Sequence, residues 1–548
     1  MKESIMLEQT RQTQQETLVR GMTWLTAGNF ISRLLGVIYV IPWYMWLGQD
    51  KAVANALFNM GYQVYANFLL ISTVGLPTAV AKQIAKYNTL GREDISYYLV
   101  REIFKLMLVL GAVFAGIMYL SSPLLADLSG SKVLLIPIMH SLVPPLFIFP
   151  AMSIVRGFFQ GINDLKSYAL SQIAEQVVRV IWILLMTFYI MKLGSGNYHE
   201  AVIQSTFGAF IGMLASIGVL LYIMHRRGLI SKIYHSKSVA SEIQLKPLVI
   251  ETVKEAIPLI VIGCAFQIFQ FIDQITFVKF MHFLTGESVK ELLVWYTYMT
   301  ANPSKITMLI IGVAGSIGSV AIPLITARFI EKDYKGTARL ITDNLQMLFI
   351  LVIPAVVGAV LIAYPLYTVF YGQSEHLAIA LFVGNLFLIL LQGLYAVLGV
   401  VIQAIFENRW AIFFFTLGLV VKILLQLPFI FLFRVYGPLL SSAAGLAVTT
   451  YFFYRRINRV IPLEEKRIKK DFVTISVVTL AMALVVFLVE WGVSRILPPT
   501  GYVSSAIHVG IAGFAGILIF GILTLKTRQL DSLLGNRAVA LREKLHIS

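Results

Sequence analysis

The sequence predicts an all-α polytopic membrane protein with about fourteen transmembrane helices, arranged as two parallel six-helix repeats plus two extra C-terminal helices. The first reason is composition: 58% of the 548 residues are hydrophobic and 13% are charged, with a mean hydropathy of +0.80. A soluble protein carries about 25% charged residues. The second reason is that the apolar segments are long and continuous, without the alternation of barrel strands. The third is the pattern of basic loops and internal repeats.

Each apolar segment is long enough to cross a bilayer, which takes about 20 residues in a helix. We expect spans near residues 22–47, 56–86, 100–121, 133–157, 168–191, 201–224, 250–280, 294–328, 341–365, 376–404, 410–433, 437–455, 472–490 and 505–525. The residues before the first span are polar and mixed in charge, with no continuous apolar core. A cleaved signal peptide is therefore not expected.

Basic residues are concentrated in alternate loops. The loops after even-numbered spans hold most of them, including Arg156 after the fourth span, Arg226 and Arg227 after the sixth, and Arg455 and Arg456 after the twelfth. The positive-inside rule then places both termini in the cytoplasm. The net charge of +16 is spread over many short loops. No basic domain is formed, so a nucleic-acid-binding function is excluded.

A motif at the end of the second span recurs at the end of the eighth, and other matches follow in the same order. The corresponding pairs are Pro77 with Pro323, Lys82 with Arg328, Lys86 with Lys332, and Arg179 with Lys422. Because each copy holds an even number of spans, the repeats are parallel and related by an axis along the membrane normal. Two such lobes are expected to form a central cleft, as in transporters that work by alternating access.

The repeat defines the predicted domains. They are an N-terminal lobe at 1–228, a cytoplasmic linker at 229–247, a C-terminal lobe at 248–460, and spans 13 and 14 with a cytoplasmic tail at 461–548. The chain has one cysteine, Cys264, which excludes an intramolecular disulfide. We find no metal-ligand cluster, ATP-binding motif or nucleophile elbow, so neither a metal nor a cofactor is expected.

Arg33 lies inside the apolar run of the first span. A charge near the middle of a spanning helix costs at least about 2.5–3.5 kcal/mol on insertion scales. One interpretation is an arginine that extends to the headgroups at the cytoplasmic end of the span. The other is a guanidinium that lines an internal cavity and binds an anion.

Amide side chains recur every four residues in the second span, at Asn55, Asn59, Gln63 and Asn67. This spacing places them along one helical stripe. A stripe of unsatisfied amides would be costly in lipid. It therefore faces either a neighbouring helix, through hydrogen bonds worth about 0.6 kcal/mol each, or a cavity that binds a hydroxyl-rich ligand such as a sugar.

Two charged residues lie in the seventh and eighth spans. Asp273 is a candidate cation or proton site, or else the partner of Lys279 or Lys305. Lys305 follows Asn302-Pro303, a pair expected to break helical regularity as in discontinuous transporter helices. Lys305 either extends to the outer interface or binds substrate.

The fifth and eleventh spans carry further charges. Glu175 and Arg179 are four residues apart and can pair with each other. Lys422 is the repeat counterpart of Arg179. Cations thus exceed anions around the predicted cleft, which indicates an anionic ligand of the phosphorylated kind, since guanidinium pairs with phosphate in a bidentate way.

Three features together resemble the MOP superfamily of transporters. They are Ser32-Arg33-Leu34-Leu35-Gly36 in the first span, the Gly75-Leu76-Pro77 ending of the second span with its two lysines, and the fourteen-span plan. Within the superfamily the chain is most similar to the polysaccharide-export branch, in particular the YtgP/SpoVB group that includes the MurJ-type lipid II flippases.

The resemblance implies a flippase in the bacterial cytoplasmic membrane. Its substrate would be an undecaprenyl-pyrophosphate-linked sugar, lipid II, moved from the inner to the outer leaflet. Arg33 matches the family's first-span arginine and is expected to hold the pyrophosphate. The family has further arginines after this motif and in span 8, where this chain has uncharged residues and Lys305. Spans 13 and 14 would form a groove for the lipid tail.

We expect the membrane potential or a coupled monovalent cation to supply the energy. The expected partners are the undecaprenyl-linked glycolipid, membrane lipids and the cell-wall synthesis machinery, with no nucleic acid. Two alternatives keep the fold, namely a flippase for another polysaccharide repeat unit and a MATE-like drug exporter. An alternative of another class is a membrane-embedded glycosyltransferase or polymerase, which would require a carboxylate near a large extracytoplasmic loop.

Overall fold

The computed structural model describes residues 28, 31–73, 75–236, 250, 257, 260–531 and 536–544. Within these ranges the chain is almost entirely helical and contains no β-strand. A helical stretch at 31–38 comes first. It is followed by α1 (Val40–Leu47), α2 (Lys51–Thr73), α3 (Leu76–Thr89), α4 (Glu93–Leu128), α5 (Lys132–Ser141), α6 (Val143–Gly161), α7 (Leu165–Phe188), α8 (Tyr198–Arg226) and α9 (Leu229–His235).

The second half of the chain continues in the same way. Its helices are α10 (Ala265–Thr285), α11 (Val289–Tyr296), α12 (Asn302–Ile330), α13 (Tyr334–Leu361), α14 (Ala363–Tyr371), α15 (His376–Ala404), α16 (Asn408–Phe433), α17 (Gly437–Val460), α18 (Glu465–Ile496), α19 (Tyr502–Lys526) and α20 (Asn536–Lys544).

Ten helical segments among the described residues are long and apolar enough to cross a membrane. The prediction of an all-α polytopic membrane protein is therefore confirmed. Two of the segments, Ile31–Thr89 and Asn408–Val460, each contain more than one helix. The predicted first and seventh spans extend partly outside the described residues. The count of fourteen spans stays a prediction.

The chain divides into two compact units between Phe271 and Ile272, and we call them unit 1 and unit 2. The division falls inside the predicted seventh span, whereas the predicted linker at 229–247 lies mostly outside the described residues. The predicted domain bounds therefore stay a prediction, as does the central cleft between the lobes.

Unit 1 is held together by a core between α3, α4, α6, α8 and α9, built from residues such as Ile84, Leu99, Phe158 and Met213. The α7–α8 hairpin is packed so closely that glycine is required at one point. A Cβ atom at Gly212 would lie 2.5 Å from the carbonyl oxygen of Glu175 and 2.9 Å from the Cβ atom of Arg179. This close approach fixes the backbone that carries both charged side chains.

Unit 2 contains an equivalent hairpin, α16–α17. A Cβ atom at Gly418 on α16 would overlap Thr449 and lie 2.5 Å from the carbonyl oxygen of Gly445, both on α17. The last two long helices, α18 and α19, pack against α13 and α14 through a core that contains Ile362, Met482, Val486 and Ala512. Spans 13 and 14 therefore belong structurally to unit 2.

Two departures from regular helix position side chains of interest. Gly75, with φ of 69°, lies in the left-handed region just before α3, where a side chain would be strained. A π-helical turn at Thr297–Ala301 precedes α12 and places Pro303 in the first turn of that helix. The irregularity thus lies directly before Asn302-Pro303 and is a π-helical turn, with helix on both sides, not the break of a discontinuous helix. Turns of this kind often occur at functional sites.

Candidate functional site

Unit 1 contains a buried charge cluster around Glu175. Its Oε2 atom accepts from Arg156 Nη2 at 2.7 Å, and its Oε1 atom accepts from Arg179 Nη2 at 2.5 Å. Arg156 comes from α6, whereas Glu175 and Arg179 lie one turn apart on α7. The predicted pairing of Glu175 with Arg179 is confirmed. Two guanidinium groups share one carboxylate, so the cluster keeps one positive charge.

Arg156 is a site residue that the sequence did not reveal. Its position in the sequence predicts a place in the basic loop after the fourth span, but α6 continues to Gly161 and Arg156 is only 7% exposed. Its Nε atom donates to Ser171 Oγ at 3.1 Å, and its Nη2 atom also donates to Ser216 Oγ at 2.8 Å. An arginine near the end of an apolar run looks like a loop residue, so only the packing of α7 and α8 around it identifies it.

Arg179 has unused hydrogen-bonding capacity. Its Nε atom is buried and has no hydrogen-bond partner in the described part of the chain, while 19% of its side chain remains exposed. Tyr62 and Tyr65 of α2 lie within electrostatic range of the guanidinium, and so does Tyr39. An arginine edge near phenol hydroxyls can bind an anionic oxygen. This arrangement can hold a phosphorylated ligand.

Other unsatisfied polar atoms lie on the same helix as Arg179. Gln172 Oε1 and Trp182 Nε1, both on α7, are buried without a hydrogen-bond partner among the described residues, and so is Ser32 Oγ of the first helical stretch. Gln176 of α7 faces this stretch, since a Cβ atom at Gly36 would lie 3.5 Å from its Nε2 atom. Native structures satisfy most buried polar groups. Unsatisfied ones here are consistent with a polar ligand.

Arg33 is exposed and makes no hydrogen bond or ion pair with the residues that the structure describes. Its neighbours in the chain are Ser32, whose Oγ atom is buried, and Leu34, whose side chain is exposed. Exposure fits both the interfacial and the cavity interpretation of Arg33, so its role as a substrate ligand stays a prediction.

The amide stripe of α2 is used largely within the protein. Gln63 is buried, and its Nε2 atom donates to the carbonyl oxygen of Gln267 at 2.7 Å. Asn67 Nδ2 donates to the carbonyl oxygen of Gln63 at 2.9 Å, and Asn55 is buried. Asn59 is partly buried. The bond of Gln63 to another helix favours the packing interpretation for that residue, whereas the bond of Asn67 stays within α2. Sugar binding by the stripe stays a prediction.

The start of α12 is tied to α14 close to Lys305. Asn302 Nδ2 donates to Tyr367 Oη at 2.5 Å, and Tyr371 Oη donates to the carbonyl oxygen of Asn302 at 2.7 Å. Lys305 is partly buried, one turn after the π-helical stretch. Its predicted contact with substrate is not tested by these bonds.

Unit 2 contains a second buried ion pair. Lys422 of α16 is 0% exposed, and its Nζ atom donates to Asp273 Oδ1 of α10 at 2.5 Å. The structure places Lys422 at the Asp273 carboxylate, whereas the sequence indicates Lys279 or Lys305 as its partner if it is not a cation or proton site. The residues lie 149 positions apart in the chain, so helical spacing gives no sign of the pair. Asp273 is predicted to be a cation or proton site, and in the structure its carboxylate is paired with the Lys422 ammonium.

The described residues contain no group of three or more His, Cys, Asp or Glu that could hold a metal ion. Two of the polar centres among the described residues contain the charged residues predicted from the sequence. The centre in unit 1 carries an excess positive charge and unsatisfied donors, whereas the centre in unit 2 is electrically balanced.

Comparisons with known proteins place these features in context. The family described as polysaccharide biosynthesis protein matches residues 18–329 of the chain. Lipid II flippase MurJ of Bacillus subtilis (strain 168) is 32% identical over 538 residues, which cover 95% of this chain and 97% of that protein. Stage V sporulation protein B of the same organism is 24% identical over 203 residues, or 37% of this chain and 38% of that protein.

Two solved structures show a similar fold. Lipid II flippase MurJ in an inward closed conformation matches with a TM-score of 0.60 at 16% identity, covering 92% of this chain and 99% of that chain. An inward-facing multidrug resistance MATE family transporter of the MOP superfamily matches with a TM-score of 0.59 at 15% identity, covering 81% and 96%. At these identities the likeness concerns the fold alone.

Proposed function

We propose that this chain, which belongs to the polysaccharide biosynthesis protein family and within it to the MurJ type, moves lipid II from the inner to the outer leaflet of the membrane. Membership of this family makes the chain a multi-pass membrane transporter rather than an enzyme. The proposed substrate is an undecaprenyl-pyrophosphate-linked peptidoglycan precursor, which the family relationship supports most directly.

The observation in the structure that carries the proposal is the excess positive charge around Glu175. Arg156 and Arg179 share one carboxylate, and the buried Nε atom of Arg179 has no hydrogen-bond partner among the described residues. A pyrophosphate would supply anionic oxygens that accept hydrogen bonds from the Arg179 guanidinium, since guanidinium groups bind phosphate through two parallel hydrogen bonds. Arg33 and Lys305 are the further cations that we assign to the headgroup.

The charge distribution argues against the drug-exporter alternative. A transporter of cationic drugs needs a carboxylate that is free to meet the drug. Glu175 is neutralised by two arginines and Asp273 by Lys422. A flippase for another polysaccharide repeat unit, linked to the same pyrophosphate carrier, remains the second candidate because its anionic group would meet the same cations.

We also propose that the membrane potential drives transport. The headgroup carries negative charge outward, away from the negative side of the membrane, and moving one charge through 100 mV is worth about 2.3 kcal/mol. In this proposal both termini lie in the cytoplasm of a bacterial cell, where the basic loops favour the anionic inner surface. The cell-wall synthesis machinery would receive the lipid on the outer surface.

Depletion of the protein in its own cells, followed by assay of lipid II on each leaflet, tests the substrate. We expect lipid II to accumulate in the inner leaflet and to disappear from the outer one. Unchanged lipid II with loss of another surface polymer would overturn the lipid II assignment in favour of the second candidate. Re-expression of the wild-type chain should restore the outer-leaflet pool and serves as the control.

A further inference from the structure

The Lys422 ammonium lies at the centre of a shell of oxygen atoms in unit 2. Its Nζ atom is 2.5 Å from Asp273 Oδ1, 2.7 Å from Gln426 Oε1, 2.9 Å from both Ser441 Oγ and Ser442 Oγ, and 3.1 Å from the carbonyl oxygen of Pro438. These oxygens come from α10, α16 and α17. The lysine is fully buried.

The number of oxygens exceeds what hydrogen bonding by an ammonium requires. An ammonium has three protons to donate, but five oxygens surround it within 3.1 Å. The shell is also fixed from outside. Gln426 Nε2 donates to Asp273 Oδ1 at 3.0 Å and to Thr276 Oγ1 at 2.9 Å, and Ser441 Oγ donates to Gln426 Oε1 at 2.6 Å. The oxygens are thus held around a common centre, as they are in a site for a metal cation.

The charge of the shell defines which cation it accepts. It contains one carboxylate and four neutral oxygens, and the ammonium balances it to zero. Without the ammonium the carboxylate would be buried and unpaired, which is strongly unfavourable. One monovalent cation would restore neutrality, whereas a divalent cation would leave an excess positive charge. Carboxylate, carbonyl and hydroxyl oxygens are suitable ligands for a hard cation.

We propose that Lys422 is a built-in cation, which permanently fills an oxygen cage in unit 2 that would otherwise bind a free monovalent metal ion. The ammonium is covalently tethered to α16, so it cannot dissociate into either solution. Unit 2 therefore has its cation at all times and needs none from the medium. This inference concerns the binding chemistry of unit 2 and does not depend on the identity of the transported lipid.

The test is the thermal stability of the purified full-length protein in lipid nanodiscs, measured in sodium, potassium or choline chloride at equal ionic strength. The wild-type Tm should be the same in all three salts. Lys422→Ala removes the ammonium and leaves space in the cage, so its Tm in choline should be low. Sodium or potassium at about 100 times the dissociation constant should raise the Tm of this variant by about 2–3 °C, the shift expected for a chain of 548 residues.

Two control variants separate cation binding from a general salt effect. Lys422→Met keeps the volume of the side chain without its charge, so the cage has no room for an ion and the Tm should be low in every salt. Lys422→Ala combined with Asp273→Asn removes the negative charge, so the specific response to sodium or potassium should disappear. Recovery of Lys422→Ala only from sodium or potassium buffers would count as support.

Two results would overturn the proposal. One is a wild-type Tm that rises specifically with sodium or potassium, because the cage would then still accept a free ion. The other is a Lys422→Ala protein that no monovalent metal ion stabilises, including one that cannot be recovered from any of the salts. Neither result would bear on lipid transport, because a Tm measurement reports on stability alone.

Discussion

Arg179 and Lys422 occupy corresponding positions in the internal repeat, and each places a side-chain nitrogen 2.5 Å from a carboxylate oxygen. The carboxylates come from different places in the two units. Glu175 lies one turn before Arg179 on α7, whereas Asp273 reaches Lys422 from another helix, α10. In unit 1 a second arginine joins the pair and leaves a positive charge. The two aligned positions thus both carry a cation paired with a carboxylate, partly buried in unit 1 and fully buried in unit 2, and only the cluster in unit 2 is electrically balanced.

Arg156→Ala should destabilise the protein. The substitution removes one of the two cations that face the buried Glu175 carboxylate and leaves two serine hydroxyls without their donor. Because Arg179 still faces Glu175, we expect a loss of about 3 kcal/mol, at the lower end for a broken buried ion pair. Thermal unfolding of the 548-residue chain in nanodiscs should give a Tm lower by about 2–3 °C.

Arg92→Ala is the matched control for Arg156→Ala. Arg92 pairs with Asp94 at 3.2 Å, but both side chains are exposed. Pairs of this kind contribute about 0–1 kcal/mol. An equal fall in Tm for the two variants would contradict the assignment of Arg156 to a buried cluster.

Arg179→Lys should impair transport more than it impairs stability. Lysine keeps the charge next to Glu175 but loses the planar fork that we assign to the pyrophosphate. Loss of one charged hydrogen bond is worth about 1.5–3 kcal/mol, so lipid translocation in proteoliposomes should fall by about 10-fold or more. Normal transport by Arg179→Lys with a normal Tm would limit Arg179 to the ion pair with Glu175.

Substitutions of Arg33 distinguish its two interpretations. An interfacial arginine can be replaced by lysine with little effect, since both side chains extend to the headgroups. A phosphate-binding arginine cannot, because lysine lacks the bidentate geometry. We expect both Arg33→Ala and Arg33→Lys to fail to support growth as the sole flippase, at normal levels of inserted protein. Growth supported by Arg33→Ala would exclude a role in substrate binding.

His508→Ala should loosen the hairpin formed by α18 and α19. The imidazole is fully buried, with Nε2 at 2.6 Å from the carbonyl oxygen of Leu497 and Nδ1 at 2.8 Å from Glu490 Oε1. A carbonyl oxygen only accepts, so Nε2 must carry a proton. Removing the ring leaves two partly buried acceptors without this donor, at a cost of about 1–3 kcal/mol. Ile507→Ala, at an exposed neighbouring position, should lower the Tm less.

Hydropathy and repeats in the sequence predicted the helical membrane fold, because long apolar runs have few other solutions in a bilayer. The pairing of Glu175 with Arg179 was also predictable, since residues four apart on a helix meet. The partner of Asp273 was not, because Lys422 approaches it through tertiary packing. Arg156 was missed since a charge near a predicted span end has the same local pattern whether it is buried or in a loop.

The core shared by Ile362, Met482, Val486 and Ala512 has a consequence for truncation experiments. The last two long helices lie outside the duplicated unit, so they look like a removable extension. They instead pack against α13 and α14 within unit 2. A chain ending after α17 would leave the apolar sides of those two helices without their protein cover. Loss of function in such a truncated chain would follow from the loss of this packing, so it cannot serve as evidence that these helices bind a lipid tail. Point substitutions on their exposed faces are the cleaner probe.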